Sequence, residues 1–211
     1  ISEEDLLEIV DNQILDSWFK QQSFLIDKQL IGDFSFYDQV LDAIAYLGIP
    51  LKRFGYISTN NLDSYFSAAR GGNINGKKEQ PLEMTKWFNT NYHYLVPEID
   101  WKKPFKPDIS RITHEYNLAT KNKINVITKI LGPATLATLS KEEKFNKEQS
   151  SKLVNAYLDF INQINQLGVT EVMLDEGAVA VGEHFVEKSH FSCLIDVINS
   201  SSINVRINGY F

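Results

Sequence analysis

Apolar residues recur at helical spacing over long stretches of the chain. Near its start, Val10, Ile14 and Trp18 follow one another at four-residue intervals, and Ser2 and Asp5 form a capping box ahead of them. Such spacing places the apolar side chains on one face of a helix, where they can pack against a core. The pattern predicts helices at residues 2–24, 36–47, 62–70, 108–121 and 146–167, with a further helix within residues 184–199.

Short apolar runs between these helices predict β-strands. The run at residues 124–131 is rich in β-branched side chains and ends at Gly132 and Pro133, which interrupt regular structure. Strands that alternate with helices form βαβ units, and such units build a parallel sheet. Five strands are predicted, at residues 29–33, 92–99, 124–131, 169–174 and 203–208.

Two architectures accommodate about five parallel strands with flanking helices: an open doubly wound sheet, and part of a (β/α)8 TIM-type barrel with three strands missing. No Gly-x-Gly-x-x-Gly motif opens a helix, which favours the incomplete barrel. The chain begins at Ile1 without a methionine and ends at Phe211 within an apolar strand, so we expect a cut or proteolysed domain. Residues 1–211 are thus predicted to form one incomplete domain, with a mobile loop near residues 71–80.

Composition and charge narrow the class of protein further. The 211 residues are 43% hydrophobic and 12% aromatic, which is typical of a globular protein with a sizeable core. A net charge of −6 argues against a nucleic-acid partner, whose phosphates demand a basic surface. No apolar run approaches the roughly 20 residues that cross a bilayer. The single cysteine, Cys193, cannot form an internal disulfide, and we expect a cytoplasmic protein.

Acidic residues follow two of the predicted strands directly. Asp33 comes after the first strand, and Asp175 and Glu176 come after the strand at residues 169–174. In parallel α/β folds, functional groups gather where strands end, so these three residues form a candidate polar site. Such carboxylates could bind a metal, act as a base or accept hydrogen bonds from a polar substrate. The alternative for Asp175 and Glu176 is the N-cap and first-turn acid of the next helix.

The histidines and the cysteine do not suggest a metal centre. His190 and Cys193 have ligand-like spacing, but they lie in a predicted helix and have no second pair of ligands. The sequence likewise offers Cys193 no convincing histidine and orienting partner for nucleophilic catalysis. We therefore predict no metal site. The other histidines are His93, His114 and His184.

The most unusual stretch is residues 83–98, which reads Glu-Met-Thr-Lys-Trp-Phe-Asn-Thr-Asn-Tyr-His-Tyr-Leu-Val-Pro-Glu. It combines a lysine, a histidine, amides and hydroxyls with four aromatic side chains around the start of a predicted strand. This combination suits a rigid wall that faces a ligand. An ordinary solvated lysine beside a core-facing aromatic patch explains it equally well.

The same stretch resembles a signature of cobalamin-independent methionine synthase, the 5-methyltetrahydropteroyltriglutamate–homocysteine methyltransferase. Other segments agree with that family in the same order along the chain. They include Gly-Asp-Phe-Ser-Phe-Tyr-Asp-Gln-Val-Leu-Asp at 32–42, Leu-Gly-Pro-Ala-Thr at 131–135 and Leu-Asp-Glu at 174–176. The resemblance spans essentially the whole chain.

The resemblance implies one half of an enzyme built from two face-to-face (β/α)8 barrels, which transfers a methyl group from a folate polyglutamate to homocysteine. The C-terminal barrel of that family holds the zinc and the homocysteine site, so we expect this chain to carry neither and to be inactive alone. The N-terminal barrel helps to hold the polyglutamate tail of the folate. Lys86 matches the family's lysine for that role, and an ammonium facing a carboxylate is chemically reasonable. The implied partners are 5-methyltetrahydrofolate polyglutamate and the C-terminal catalytic barrel.

One position departs from the family. Gly177 stands where the family's N-terminal barrel usually has proline, and glycine loosens a loop that proline would fix. Similarity is also low over residues 178–202. These departures leave open a second hypothesis, in which the chain is a non-catalytic stand-alone paralogue that acts as a scaffold or binding module.

Overall fold

The computed structural model describes residues 2–74, 76–142, 144–181 and 186–209, and within them helices alternate with short strands. The helices are α1 Glu3–Ser23, α2 Gln39–Tyr46, α3 Leu62–Arg70, α4 Ser110–Lys121, α5 Pro133–Leu139, α6 Lys147–Gln166, α7 Gly177–Val181 and α8 Lys188–Ser200. The strands are β1 Gln29–Ile31, β2 Gly72–Ile74, β3 Lys77–Glu79, β4 Met84–Lys86, β5 His93–Leu95, β6 Val126–Leu131, β7 Glu171–Asp175 and β8 Asn204–Asn208.

Four of the described strands form a parallel sheet in the order β1-β6-β7-β8. The register places Leu30 opposite Ile127, and Leu174 of β7 lies between Ile130 of β6 and Ile207 of β8. Each of these strands therefore lies beside the parallel strand that precedes it in the chain. The predicted α/β class and parallel sheet are confirmed.

The prediction of a fifth parallel strand at residues 92–99 is wrong. That run contains β5, which pairs antiparallel with β4 outside the four-stranded sheet. The turn between β4 and β5 is too short for the crossover of a dozen or more residues that parallel neighbours need. Residues 71–80, which were predicted as a loop, contain the antiparallel pair β2 and β3. Their mobility stays a prediction.

Capping explains where several helices begin. The predicted capping box of Ser2 and Asp5 is present at the start of α1. A second capping box joins Asn146 to Gln149 at the start of α6. Helix α2 begins three residues later than predicted because the Asp38 carboxylate accepts hydrogen bonds from the first-turn amides and fixes the helix start there. The short helices α5 and α7 were not predicted, since neither is long enough to show a clear period.

The core lies between the parallel sheet and the helices. Val172 and Leu174 of β7 are fully buried, as are Tyr157 and Phe160 of α6. The Tyr157 hydroxyl donates a 2.5 Å hydrogen bond to the carbonyl oxygen of Leu131 at the end of β6, so α6 is tied to the sheet by a buried polar contact. Among the described residues, no helix is long and apolar enough to cross a membrane.

Candidate functional site

Lys86 lies on an exposed two-stranded ribbon, the β4–β5 hairpin. It is the last residue of β4, and its register partner across the ribbon is His93. Both side chains are exposed, and no ion pair among the described residues involves Lys86. The ammonium is therefore available to an anionic ligand. The His93 ring is held by a 2.9 Å contact between Nδ1 and the carbonyl oxygen of Asn91.

The aromatic residues of the same segment form a cluster around Trp87. The Trp87 ring makes edge-to-face contacts with Phe88, Tyr92 and Tyr94, at centroid separations of 5.7, 5.8 and 6.0 Å. Trp87 and Tyr94 are buried, and Tyr92 is exposed. Edge-to-face aromatic packing adds geometric definition to area burial. The cluster thus gives the hairpin a rigid base directly after Lys86.

The inner strand of the hairpin is fixed to the core at two points. The Leu95 backbone N–H donates to Oδ2 of Asp38 at 3.2 Å, and the Tyr94 hydroxyl donates to the carbonyl oxygen of Leu139 at 2.9 Å. Asp38 also accepts from the backbone amides of Val40 and Leu41. A single buried carboxylate therefore joins the start of α2 to β5. Burial raises the pKa of Asp38 to about 6 against these hydrogen bonds.

Two of the three predicted strand-end acids come together around a lysine. Lys129 of β6 places its ammonium 2.7 Å from Oδ1 of Asp33 and 3.0 Å from Oδ2 of Asp175. Asn208 of β8 donates to the other oxygen of Asp175 at 2.6 Å. Burial lowers the pKa of Lys129, but the contacts with Asp33 and Asp175 outweigh it and raise the pKa overall. These residues form an ion-paired polar cluster, with one lysine between two aspartates, at the carboxyl ends of the sheet.

Glu176 does not join this cluster. Its carboxylate turns toward the start of α5, where it accepts hydrogen bonds from the backbone amides of Ala134 at 2.9 Å and Thr135 at 2.8 Å, and from the Thr135 hydroxyl. Burial raises the pKa of Glu176 to about 7. Glu176 thus caps α5, the helix that follows β6. The alternative interpretation also made it a helix cap, but at the helix that follows Glu176. Asp175 is the last residue of β7 and pairs with Lys129, whereas Glu176, the next residue, lies outside the strand and contacts the start of α5.

Asp42, which the sequence analysis did not single out, is a buried carboxyl one helical turn after Asp38. It accepts a 2.6 Å hydrogen bond from the Tyr65 hydroxyl. Burial raises the pKa of Asp42 to about 7, and the nearby charges of Asp38 and Glu115 add to the rise. The sequence pattern that indicates such a buried carboxyl is an acidic residue on the apolar face of a short helix. Asp42 contributes to the packing of α2 and α3 rather than to a solvent-facing site.

His190 and Cys193, the pair with ligand-like spacing, make polar contacts with neighbouring side chains. His190 Nδ1 lies 3.0 Å from the Thr138 hydroxyl, and Cys193 Sγ lies 3.1 Å from the Ser150 hydroxyl. Within the described ranges there is no group of three or more histidine, cysteine, aspartate or glutamate side chains that could hold a metal ion. His184 lies outside the described residues. The described donor set therefore does not fit a zinc centre.

Comparison with known families settles the relationship of the chain. The model of the family described as "Cobalamin-independent synthase, N-terminal domain" matches residues 1–211. The chain belongs to this family. The resemblance inferred from residues 83–98 is confirmed.

Curated relatives of this cobalamin-independent synthase N-terminal domain carry the name 5-methyltetrahydropteroyltriglutamate–homocysteine methyltransferase. The protein of Lactococcus lactis subsp. cremoris (strain MG1363) is 33% identical over 99% of this chain. The protein of Histophilus somni (strain 2336) is 37% identical over 86% of the chain, and that of Paraburkholderia phytofirmans is 35% identical over 92%. The aligned region is 28%, 24% and 25% of these relatives. The chain thus spans about a quarter of their length.

The described residues differ in whether their charges are already paired. Lys86 offers an exposed cation on an anchored hairpin, whereas Lys129 is already ion-paired with Asp33 and Asp175. Glu176 is committed to a helix end. A synthase N-terminal domain with this arrangement is suited to hold an anionic ligand at the hairpin.

Proposed function

We propose that the chain is the part of a 5-methyltetrahydropteroyltriglutamate–homocysteine methyltransferase that holds the polyglutamate tail of the folate substrate. Membership of the synthase family supports the assignment to this enzyme. The exposed ammonium of Lys86 supports the assignment of the tail, because each γ-linked glutamate carries a carboxylate and a lysine can pair with it.

The single observation that carries the proposal is the free charge of Lys86 on an anchored ribbon. A lysine that already had a carboxylate partner would gain little from a second anion. Among the described residues, Lys86 has no such partner, while the Trp87 cluster and the two core anchors of β5 fix the backbone that bears it. An ordered site costs less entropy on binding than a flexible one.

The methyl transfer itself is assigned by this proposal to another part of the complete protein. Among the described residues, no group of three or more histidine, cysteine, aspartate or glutamate side chains could hold the zinc that the family resemblance implies for the complete enzyme. The role left for this chain is to bind and orient the folate. Expressed alone, the chain is therefore expected to bind substrate without transferring its methyl group.

We also propose that the four parallel strands belong to a (β/α)8 barrel. The support is the strand order: β1, β6, β7 and β8 follow one another in one direction. A doubly wound sheet reverses its order at a switch point, whereas a barrel adds every strand on the same side. A structure of the complete protein in which β1 or β8 remains an edge of the sheet would contradict this proposal.

The test of function is steady-state methyl transfer by the product of the gene that encodes this chain, with the triglutamate and monoglutamate folates as alternative substrates. Lys86→Ala should raise the KM for the triglutamate about fivefold, the value of one partly solvated ion pair, and leave kcat unchanged. The KM for the monoglutamate should hardly change, because that substrate lacks the distal carboxylates.

Lys147→Ala is the matched control, since Lys147 is also exposed and begins α6 away from the hairpin. An unchanged triglutamate KM in the Lys86→Ala variant would remove Lys86 from the binding site. A folded gene product that transfers no methyl group from either folate would favour the scaffold hypothesis raised by Gly177.

A further inference from the structure

The hairpin that presents Lys86 is too small to hold its own position. Strands β4 and β5 are three residues each, and an isolated two-stranded ribbon is at best marginally stable in water. Contacts from Asp38 and Leu139 hold β5. Strand β4, which carries Lys86, is the outer strand. Its placement relative to the core therefore depends on its pairing with β5 and on its flanks, where Leu82 and Trp87 are buried. The Leu82 amide also donates to the carbonyl oxygen of Ala68 at 2.9 Å.

A single guanidinium contacts both flanks. Arg53 donates from Nε to Oε2 of Glu98 at 2.7 Å and from Nη2 to Oε1 of the same carboxylate at 2.5 Å. Glu98 follows β5. On the other flank, Arg53 donates from Nη1 to the carbonyl oxygen of Gln80 at 2.5 Å and from Nη2 to that of Pro81 at 3.3 Å. The chain enters β4 at Met84, three residues after Pro81, so Arg53 ties the entry of the hairpin to its exit.

The geometry of this contact requires arginine. The planar fork of a guanidinium can make a bidentate pair with one carboxylate while its remaining N–H groups reach backbone carbonyls. A second acid, Glu79, lies 3.7 Å from Nη1 of Arg53. The side chain is only 25% exposed, so these contacts are partly shielded from water. A lysine has one nitrogen and cannot make the same set of contacts.

We infer that Arg53 is a positioning residue for Lys86: by clamping residues 80–81 to Glu98 it fixes β4 and so sets where the Lys86 ammonium lies. Arg53 is not placed in contact with the ligand and acts through the hairpin. Its consequence for folate binding rests on the proposed function of Lys86, whereas the fixing of β4 does not.

The first experiment measures the hairpin without ligand, by amide hydrogen exchange of the folded protein. The Val96 amide donates to Glu83 at 2.8 Å and the Trp87 amide donates to Tyr92 at 2.7 Å, so both report hairpin closure. Arg53→Lys should speed exchange at these two amides at least about fivefold and leave amides in the middle of α6 unchanged. Equal exchange in the variant and the parent protein would overturn the inference.

The second experiment tests whether Arg53 acts through Lys86, with a double-mutant cycle on the Kd for 5-methyltetrahydropteroyltriglutamate. Arg53→Lys alone should raise Kd about threefold to fivefold, and it should add nothing in the Lys86→Ala background. If the two effects multiply, Arg53 acts independently of Lys86 and the inference fails. If Lys86→Ala has no effect while hydrogen exchange responds as expected, the proposed function fails and the positioning of β4 stands.

A second variant of the clamp and a control variant outside the hairpin complete the test. Glu98→Gln removes the charged partner of Arg53 without changing its size, and it should speed exchange at the same amides. It replaces Arg53→Lys if that variant does not fold. Arg206→Lys is the matched control, because Arg206 pairs with Glu171 at 2.7 Å on β8, outside the hairpin. Any change in hairpin exchange on substituting Arg206 would contradict a local clamp.

Discussion

Replacing Gly132 by alanine tests the buried cap of α5 directly. Gly132 precedes the helix with ordinary extended backbone angles, φ −77° and ψ 156°, so a side chain there causes no backbone strain. The added side chain instead lacks space. An added Cβ would lie 2.2 Å from Cδ and 2.4 Å from Oε1 of Glu176, closer than non-bonded atoms approach. The Glu176 carboxylate must therefore move away from the helix start.

The expected loss of stability follows from the contacts that the Glu176 carboxylate loses when it moves. Moving it strains a tightly packed site, typically at about 1–3 kcal/mol, and weakens a helix cap, at about 1 kcal/mol. We expect Gly132→Ala to lower the free energy of unfolding by about 3 kcal/mol. Glu176→Ala leaves the amides of Ala134 and Thr135 without their acceptor and should cost about 2 kcal/mol. In the double variant the clash is gone and only the loss of the cap remains, so its cost should be about 2 kcal/mol, about 3 kcal/mol below the sum of the two single costs.

Urea unfolding followed by far-UV circular dichroism measures all three variants against the parent protein. Gly209→Ala is the control, because an added Cβ there meets its nearest atoms at an ordinary 3.9 Å. That variant should stay within about 0.5 kcal/mol of the parent. Costs for Gly132→Ala and Glu176→Ala that add within about 0.5 kcal/mol would refute steric coupling between the two residues.

Two further predictions concern buried charges. Burial raises the pKa of Asp42 to about 7, above its ordinary value of 3.8, so its contribution to stability is full below pH 4 and declines as pH rises toward 7. Asparagine does not titrate, so Asp42→Asn should reduce the fall in unfolding free energy between pH 5 and 8 by about 2 kcal/mol, measured by urea unfolding at a series of pH values. An unchanged slope of unfolding free energy against pH would contradict this. Lys129→Met leaves Asp33 and the buried Asp175 without their cation and should cost about 3 kcal/mol at pH 7. A cost below about 0.5 kcal/mol, as for an ordinary surface substitution, would refute the ion-pair account.

The elements that sequence predicted well are those whose local signals agree with their packing. Helix α6 has a capping box, a long apolar face and no competing turn residues, and β6 and β7 combine branched side chains with flanking breakers. Strand β5 was recognised as a strand but assigned the wrong partner. An apolar run specifies extended backbone and does not specify which neighbour supplies the hydrogen bonds. The linker between β4 and β5 is too short for a parallel crossover, and this indicates their antiparallel pairing.

The candidate site was predicted only in part for a similar reason. Lys86 was found through family resemblance; the structure places it, exposed, on a hairpin, and its binding role stays a proposal. Lys129 was missed because a lone lysine in an apolar strand gives no sign that two acids from other strands converge on it. The clamp at Arg53 joins segments 45 residues apart and has no local signature.

The central claim is that the Lys86 hairpin recognises the carboxylates of a folate polyglutamate tail. Its most direct test is a calorimetric titration of the protein with 5-methyltetrahydropteroyl mono-, di- and triglutamate at low and at physiological salt. Affinity should rise with each added glutamate, and the advantage of the triglutamate should shrink as salt screens the exposed charges. Equal affinities for the three ligands at low salt would contradict the claim.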